Sequence, residues 1–357
     1  MRRQLEDFLL STWNHKGPAS ALLLPFSWLY KVFSQRHLRT QARRAWRPPV
    51  PVIVVGNILV GGTGKTPVTA AVCQTLQAKS WKPGLISRGY GIRLGAEPHL
   101  SDPRGDAAHL GDEPALLHSM TGAPVAVHPD RSRAVRQLLR AHPEIDVLIA
   151  DDGLQHRALA RDVEIIVQDA RGTGNGRLLP AGPLREPAHR LTQADWIVTQ
   201  LGADDAGKVI TRATAGTHEV TMRLQPTACT HLVDHQVLSW PQWQARFSNL
   251  PCSAAAGIGN PERFFSMLRA AGLTLAHTRA LPDHGSLDEA LLNGLPSGPV
   301  LITAKDAVKC PNPADPRLWA VQVAAHFDDP TWLESLEALL RVKASLLRTS
   351  RATGIKL

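Results

Sequence analysis

Pro51-Val52-Ile53-Val54-Val55-Gly56-Asn57-Ile58-Leu59-Val60-Gly61-Gly62-Thr63-Gly64-Lys65-Thr66-Pro67 is the stretch on which the reading of this chain turns. Its opening apolar run reads as a strand. The glycine-rich middle lets backbone N–H groups curl around an anion with no Cβ in the way. A helix follows, and its N-terminus carries about half a positive charge. Strand, glycine turn, Gly-Lys-Thr and helix start together make a Walker A phosphate loop. Leu59, Val60, Gly61, Gly62, Thr63, Gly64, Lys65 and Thr66 are therefore the candidate nucleotide contacts. Lys65 is expected to reach the β- and γ-phosphates, and the Thr66 hydroxyl to ligate Mg2+. The usual GxxxxGK[ST] spacing asks for glycine where this chain has Leu59; Gly61 and Gly62 are expected to supply the flexibility instead.

Outward from this loop, strands and helices alternate. Strands are expected at 84–87, 125–127, 146–150, 163–167 and 196–199, with helices at 67–78, from 112 to 120 and at 131–141. This order means an α/β layer fold with a mostly parallel sheet, of the P-loop NTPase kind. From about Gly216 the texture changes: Val220–Leu224 and His231–Asp234 read as paired strands in a connector. A second, smaller α/β unit follows, with strands at 254–258, around 274–280 and at 300–303, and helices at 261–271 and 332–347. The expected divisions are 1–47, 48–215, 216–248, 249–347 and a tail at 348–357.

Ile145-Asp146-Val147-Leu148-Ile149-Ala150-Asp151-Asp152 is an apolar strand ending in paired acids, a Walker B arrangement. An acid at the carboxyl end of a buried strand faces the phosphate loop and holds Mg2+ directly or through water. Gly111-Asp112-Glu113-Pro114 opens a helix, where acids suit the dipole without any further role. In a phosphotransferase, the same acids would handle the acceptor proton or the metal. Pro282-Asp283-His284 lies in the second unit, and its histidine gains interest only if it crosses toward Asp112. The glycine- and proline-rich segment Arg171–Glu186 reads as a binding loop or a plain surface loop. Its Arg171, Arg177 and Arg185 suit a phosphate.

The 357-residue chain is long enough for two ordinary domains. Its 43% apolar and 20% charged residues argue against disorder over most of the length. A net charge of +9 points to an acidic partner. The four cysteines show no CxxC spacing, so they read as reduced thiols rather than a zinc or redox site. No cleavable signal peptide is expected. The run Ala19–Phe33 is apolar and aromatic, interrupted by Pro25, and followed by Arg36, Arg39, Arg43, Arg44 and Arg47. It falls short of the ~20 apolar residues that span a bilayer. It suits a helix lying in one leaflet beside anionic headgroups, or a core helix with a solvated basic face.

Taken together and in order, these segments closely resemble the tetraacyldisaccharide 4′-kinase family, the lipid A kinases of Gram-negative bacteria. The matching stretches are Val55–Pro67, Ser87–Gly91, Gly111–Pro114, Asp151–His156, Gly174–Glu186, Gly257–Pro261, Pro282–His284 and Thr303–Lys309. The resemblance implies transfer of the ATP γ-phosphate to the 4′-hydroxyl of a tetraacyldisaccharide 1-phosphate, giving lipid IVA. It implies Asp112 as base paired with His284, and Asp152 beside them in catalysis. It also implies Mg2+ near Thr66, Glu113, Asp151 and Asp152, and acceptor contacts from Arg88, Gln155, His156, Arg171, Arg177 and Arg185. The implied partners are an acylated disaccharide phospholipid and the anionic cytoplasmic face of the inner membrane, met peripherally or monotopically through an N-terminal membrane-associated helix. Nucleic acid is not expected. Thr303-Ala304-Lys305-Asp306 departs from the family's Thr-Glu-Lys-Asp and places its lysine one position too late for a guanine-reading [NT]KxD. The rivals are a GTPase or kinase of a soluble metabolite, and a membrane-bound nucleotide switch without enzymatic activity.

Overall fold

The apolar run Val52–Gly56 forms strand β1 and is buried at every residue. Successive side chains of a strand point to opposite faces. Ile53 and Val55 enter one core with Val68, Cys73 and Leu76 of the helix Lys65–Ala78, whereas Val52 and Val54 enter a second with Val135 and Leu138 of the helix Arg131–Ala141. Cover on both faces is what a parallel strand of this composition needs.

The computed structural model describes residues 12–13, 15–89, 91–92, 94–102, 107–205, 217–247, 249–281, 292–310 and 314–353. His284 lies outside the described residues. The remaining strands are β2 Pro83–Ser87, β3 His99–Leu100, β4 Val125–Val127, β5 Val147–Asp151, β6 Val163–Asp169, β7 Trp196–Gln200, β8 His218–His231, β9 Val237–Ser239, β10 Cys252–Ala256, β11 Leu275–Ala280, β12 Val300–Thr303 and β13 Leu318–Phe327. They join in one 13-stranded sheet of order β11-β10-β12-β13-β8-β7-β6-β1-β5-β2-β4-β3, with β9 paired to β8. β1 pairs in parallel with β5 and β6, and Val55 lies opposite Asp151. The phosphate loop and the acid pair therefore leave neighbouring strands at one carboxyl edge, where parallel sheets bind their ligands.

Two regions differ from the expectation. Residues 218–231 form one 14-residue strand rather than two paired short ones, because β8 takes β7 in parallel on one side and β13 antiparallel on the other. β13 itself has no counterpart in the sequence reading; its first four residues are buried and the rest largely alternate. The sheet consequently runs unbroken from the nucleotide-loop half into the half containing β10, β11 and β12, which builds its own cores around Trp243, Phe265 and Ile302.

The apolar N-terminal stretch is a short helix, Pro18–Leu22, followed by a 20-residue helix, Leu24–Arg43, so the basic stretch continues along the helix. Pro25 sits in the first turn, where its missing N–H has no intrahelical acceptor to lose. The inner face is fastened to the loop 174–186. Ser27 Oγ donates to Leu178 O at 2.8 Å, Tyr30 OH to Arg185 O at 3.1 Å, and Ser20 Oγ to Ala181 O. The outer face leaves Leu22, Phe26, Trp28, Leu29 and Phe33 exposed. Among the described residues no helix is long and apolar enough to cross a membrane.

Candidate active site

The phosphate loop is shaped by its own polar groups. Asn57 Nδ2 donates to Gly61 O at 3.3 Å and Thr63 Oγ1 at 3.1 Å. Gly61 and Gly64 adopt φ of 101° and 84°, a region that L side chains enter only at a cost. A Cβ on Gly64 would collide with Gln200 Oε1. Two expected contacts are placed elsewhere. Leu59 is fully buried in the core and bridges Leu184, and the Val60 N–H donates to Pro183 O at 2.9 Å. The stretch free to wrap a phosphate thus begins at Gly61, because a fully apolar side chain at 59 anchors the loop from below.

At the end of β5 the two acids diverge in role. Lys65 Nζ stands 3.4 Å and Arg185 Nη1 3.6 Å from Asp152 Oδ1. Asp152 holds φ of 48°, which turns its carboxylate toward these cations. Burial raises its pKa, but Lys65 and Arg185 overcome this and hold it below the ordinary carboxylate range. Asp151 is 1% exposed; its Oδ1 accepts from Thr69 Oγ1 at 2.9 Å and its Oδ2 has no hydrogen-bond partner. Burial pushes its carboxyl up to about 7, with Glu113 and Asp152 adding to the rise and Lys65 opposing it.

An orphaned, buried carboxylate oxygen crowded by like charges fits a hard divalent cation. Among the described residues no three His, Cys, Asp or Glu side chains form a metal cage. Mg2+ usually takes one or two carboxylates and completes its shell with phosphate oxygens and water.

This environment gives a measurable expectation. The Asp151 carboxyl lies above its ordinary 3.8 in the folded state, so the native protein retains a proton that the unfolded chain has released. Stability should fall as pH rises from about 4 to about 7 and level off above that. Asp151→Asn keeps an acceptor for Thr69 and cannot ionise. Thermal melts of nucleotide-free protein in chelator should show the variant more stable than wild type at pH 8 and nearly equal at pH 4. Identical pH profiles would disprove the assignment.

Asp112 and Glu113 open the helix Asp112–Thr121 and face the short helix Ala304–Ala307 of the other half. Lys305 Nζ is 3.1 Å from Glu113 Oε1, and Lys309 Nζ is 3.7 Å from Asp112 Oδ2. Lys309 also pairs with Asp306 at 3.3 Å, while Asp306 Oδ2 accepts from Gly257 N at 3.0 Å and Thr303 Oγ1 at 2.6 Å. Ala304 leaves these lysine contacts intact.

Arg131, which reads in sequence as no more than a helix start, is 2% exposed and directs Nη2 at the carbonyls of Asp151 and Asp152, 3.4 Å from each. Burial lowers its pKa to about 10, against the pull of Asp152 and Asp151, so it stays charged at neutral pH. Burial, helped by Arg131, also lowers His156 to about 4, leaving a neutral imidazole whose buried Nε2 has no partner. Arg88 is exposed beside them. Gln155 and Arg177 face protein groups. Gln155 Nε2 donates to Asn57 O at 3.0 Å and Glu186 Oε1 at 2.8 Å, and Arg177 Nη1 to Ser20 Oγ at 3.0 Å. Arg171 grips Asp169 through Nε and Nη2.

A model of the LpxK family, Tetraacyldisaccharide-1-P 4′-kinase, matches residues 19–341. The chain belongs to this family. It is 50% identical over 347 residues to the tetraacyldisaccharide 4′-kinase of Bordetella parapertussis, covering 96% of this chain and 98% of that one. It is 40% identical over 325 residues to that of Vibrio cholerae, covering 88% and 91%. Among solved structures, LpxK from Aquifex aeolicus in complex with ATP superposes with a TM-score of 0.74 at 26% identity, covering 91% of this chain and 99% of that chain. The chain is thus an α/β kinase of the tetraacyldisaccharide 4′-kinase family, with an ATP-type phosphate loop at the carboxyl edge of its sheet.

Proposed function

We propose that the chain transfers the γ-phosphate of ATP to the 4′-hydroxyl of tetraacyldisaccharide 1-phosphate, forming lipid IVA. The observation that carries this reading is the meeting of Lys65 and Asp152 at 3.4 Å beside a glycine loop, in a chain matched to the family over nearly its whole length. In the reaction the acceptor oxygen bonds to the γ-phosphorus, the bond from that phosphorus to the β–γ bridging oxygen breaks, ADP leaves, and the hydroxyl proton passes to the Asp112 carboxylate. Lys65 and the N–H groups from Gly61 to Thr66 oppose the charge spread over the phosphate oxygens. Lys309, fixed by Asp306, steadies Asp112 from the opposite half. His284 is assigned as the further partner of Asp112 on the family resemblance.

Mg2+ would be held by Thr66, Glu113 and Asp151 and would neutralise charge on the β- and γ-phosphates. Arg88, His156 and Arg185 are the acceptor-facing groups in this reading. Residues 48–215 supply the nucleotide loop and acids, and residues 249–347 the lysines that meet them, across the 216–248 connection. A thin-layer assay with labelled ATP and disaccharide lipid tests the proposal. A phosphorylated lipid with ATP but not GTP is the expected result; ATP hydrolysis without lipid product would refute it.

The same reading places the protein at the cytoplasmic face of the inner membrane. Phe33 and Trp28, 69% and 64% exposed, project from a helix whose following turns are basic. Apolar residues that enter the acyl boundary beside arginines are how interfacial helices hold anionic bilayers. Exchange of Phe26, Trp28, Leu29 and Phe33 for serine should release the protein from anionic vesicles in flotation. The fold should survive, since surface substitutions usually change stability by less than ~0.5 kcal/mol each. Undiminished flotation would locate the anchor elsewhere. Deleting residues 1–47 is a poorer test, because it also strips the loop 174–186 of its fastening.

A further inference from the structure

The helix Pro261–Ala270 lies in the half of the molecule opposite the phosphate loop, and its Asn260 side chain caps the backbone N–H of Arg263 at 3.4 Å. The Arg263 guanidinium leaves that half. Nη2 reaches Asp169 Oδ2 at 3.0 Å and Nη1 donates to Gln200 Oε1 at 3.2 Å. Asp169 and Gln200 end β6 and β7 and stand opposite each other in the ladder. Both are almost wholly buried. Gln200 meets the phosphate loop directly and Asp169 through Arg171. Gln200 Oε1 fills the space that a Cβ on Gly64 would occupy. Asp169 holds Arg171, whose terminal nitrogens lie 3.6 Å and 3.8 Å from the position of a Cβ on Gly61. Gly61 and Gly64 are the two left-handed turns of the loop.

We infer that Arg263 is a positioning residue that couples the second α/β half to the nucleotide loop, acting on Gly64 through Gln200 and on Gly61 through Asp169 and Arg171. The inference rests on the reading of Gly61–Thr66 as the nucleotide loop. One guanidinium makes both contacts because it is planar and presents several donors at fixed angles; an ammonium is a point charge on a flexible stem and does not hold that fork. Burial raises the Asp169 carboxyl, but Arg171 and Arg263 more than offset this and hold it below its usual range. Without Arg263, Asp169 keeps Arg171 but loses the guanidinium that ties this ion pair, and with it Gly61, to the second half. Gln200 Oε1 loses its donor, and the group packed on Gly64 is free to turn. The loop then has more shapes available before nucleotide arrives, and binding must select among them. Coupling between binding events is reciprocal. ATP on the loop should therefore tighten the seating of the helix Pro261–Ala270.

The test uses the full chain and the nonhydrolysable analogue AMP-PNP with Mg2+. Arg263→Gln should bind the analogue ~10-fold more weakly than wild type, a typical size for such coupling. Arg263→Lys should fall between the two. Wild type should gain hydrogen-exchange protection in residues 252–270 on adding the analogue, and Arg263→Gln should not. A merely structural role would lower the melting temperature and leave that difference in place. Should Arg263→Gln fail to fold, Gln200→Met carries the same expectation, since it fills the space without accepting a hydrogen bond. Wild-type affinity together with wild-type protection in the folded variant would overturn the coupling alone. Absence of analogue binding in wild type would overturn the nucleotide-loop reading and the coupling with it.

Discussion

Lys65→Ala is expected to lower lipid phosphorylation at least ~10³-fold, the scale on which a single charge-stabilising group acts in phosphoryl transfer. Lys65 starts the helix after the loop and is the cation nearest Asp152. Its removal leaves Asp152 with Arg185 at 3.6 Å, and leaves no side-chain cation on the loop to oppose the γ-phosphate. It also withdraws the larger of the two influences, Lys65 and the Thr69 hydrogen bond, that oppose the rise of the Asp151 carboxyl. The side chain is only 13% exposed, so a thermal melt beside the assay separates lost folding from lost catalysis. Turnover within tenfold of wild type in the lipid assay would remove the loop from the mechanism.

Asp112→Ala is expected to lower kcat by ~10²–10⁴, the usual contribution of a positioned base, with KM for ATP little changed. Asp112 stands in the first turn of its helix with Lys309 at 3.7 Å. That lysine keeps its bond to buried Asp306 when Asp112 is removed, so no charge is stranded. Steady-state kinetics at saturating lipid separates the outcomes. A variant with full kcat and weakened ATP affinity would make Asp112 a nucleotide contact rather than a base.

Much of this centre was legible in the sequence because its signals are local. Val52–Gly56 and Val147–Asp151 are short apolar runs whose strand character needs no distant partner to recognise. The glycines and Lys65 follow one of them directly, and Asp152 the other. The residues that escaped are defined by what lies far away along the chain. Arg131 looks like any helix-opening arginine until its burial against the β5 carbonyls is known. Lys305 and Lys309 acquire meaning only from Asp112 and Glu113, almost two hundred positions earlier. Thr69 lies one turn past Lys65, and nothing in its neighbours announces the bond to Asp151. The same holds for strands. Residues 218–231 and 318–327 are mixed in polarity, and each becomes a continuous strand because the other is there to pair with it. Leu59 shows the opposite case, in which a motif position expected at the phosphate serves the core instead.

The antiparallel ladder between β8 and β13 runs from Trp319 opposite His231 to Phe327 opposite Met222, with one irregularity between Gln322 and Val323. Two lobes joined by a flexible tether swing apart like a clamshell. These halves share a stitched seam instead, and separating them would break main-chain bonds along its whole length. Motion that keeps those bonds is torsion about the seam, whose regular pairing is interrupted between Gln322 and Val323. The contacts that such a twist has to accommodate are those crossing between the halves: Lys305 with Glu113, Lys309 with Asp112, and Arg263 with Asp169.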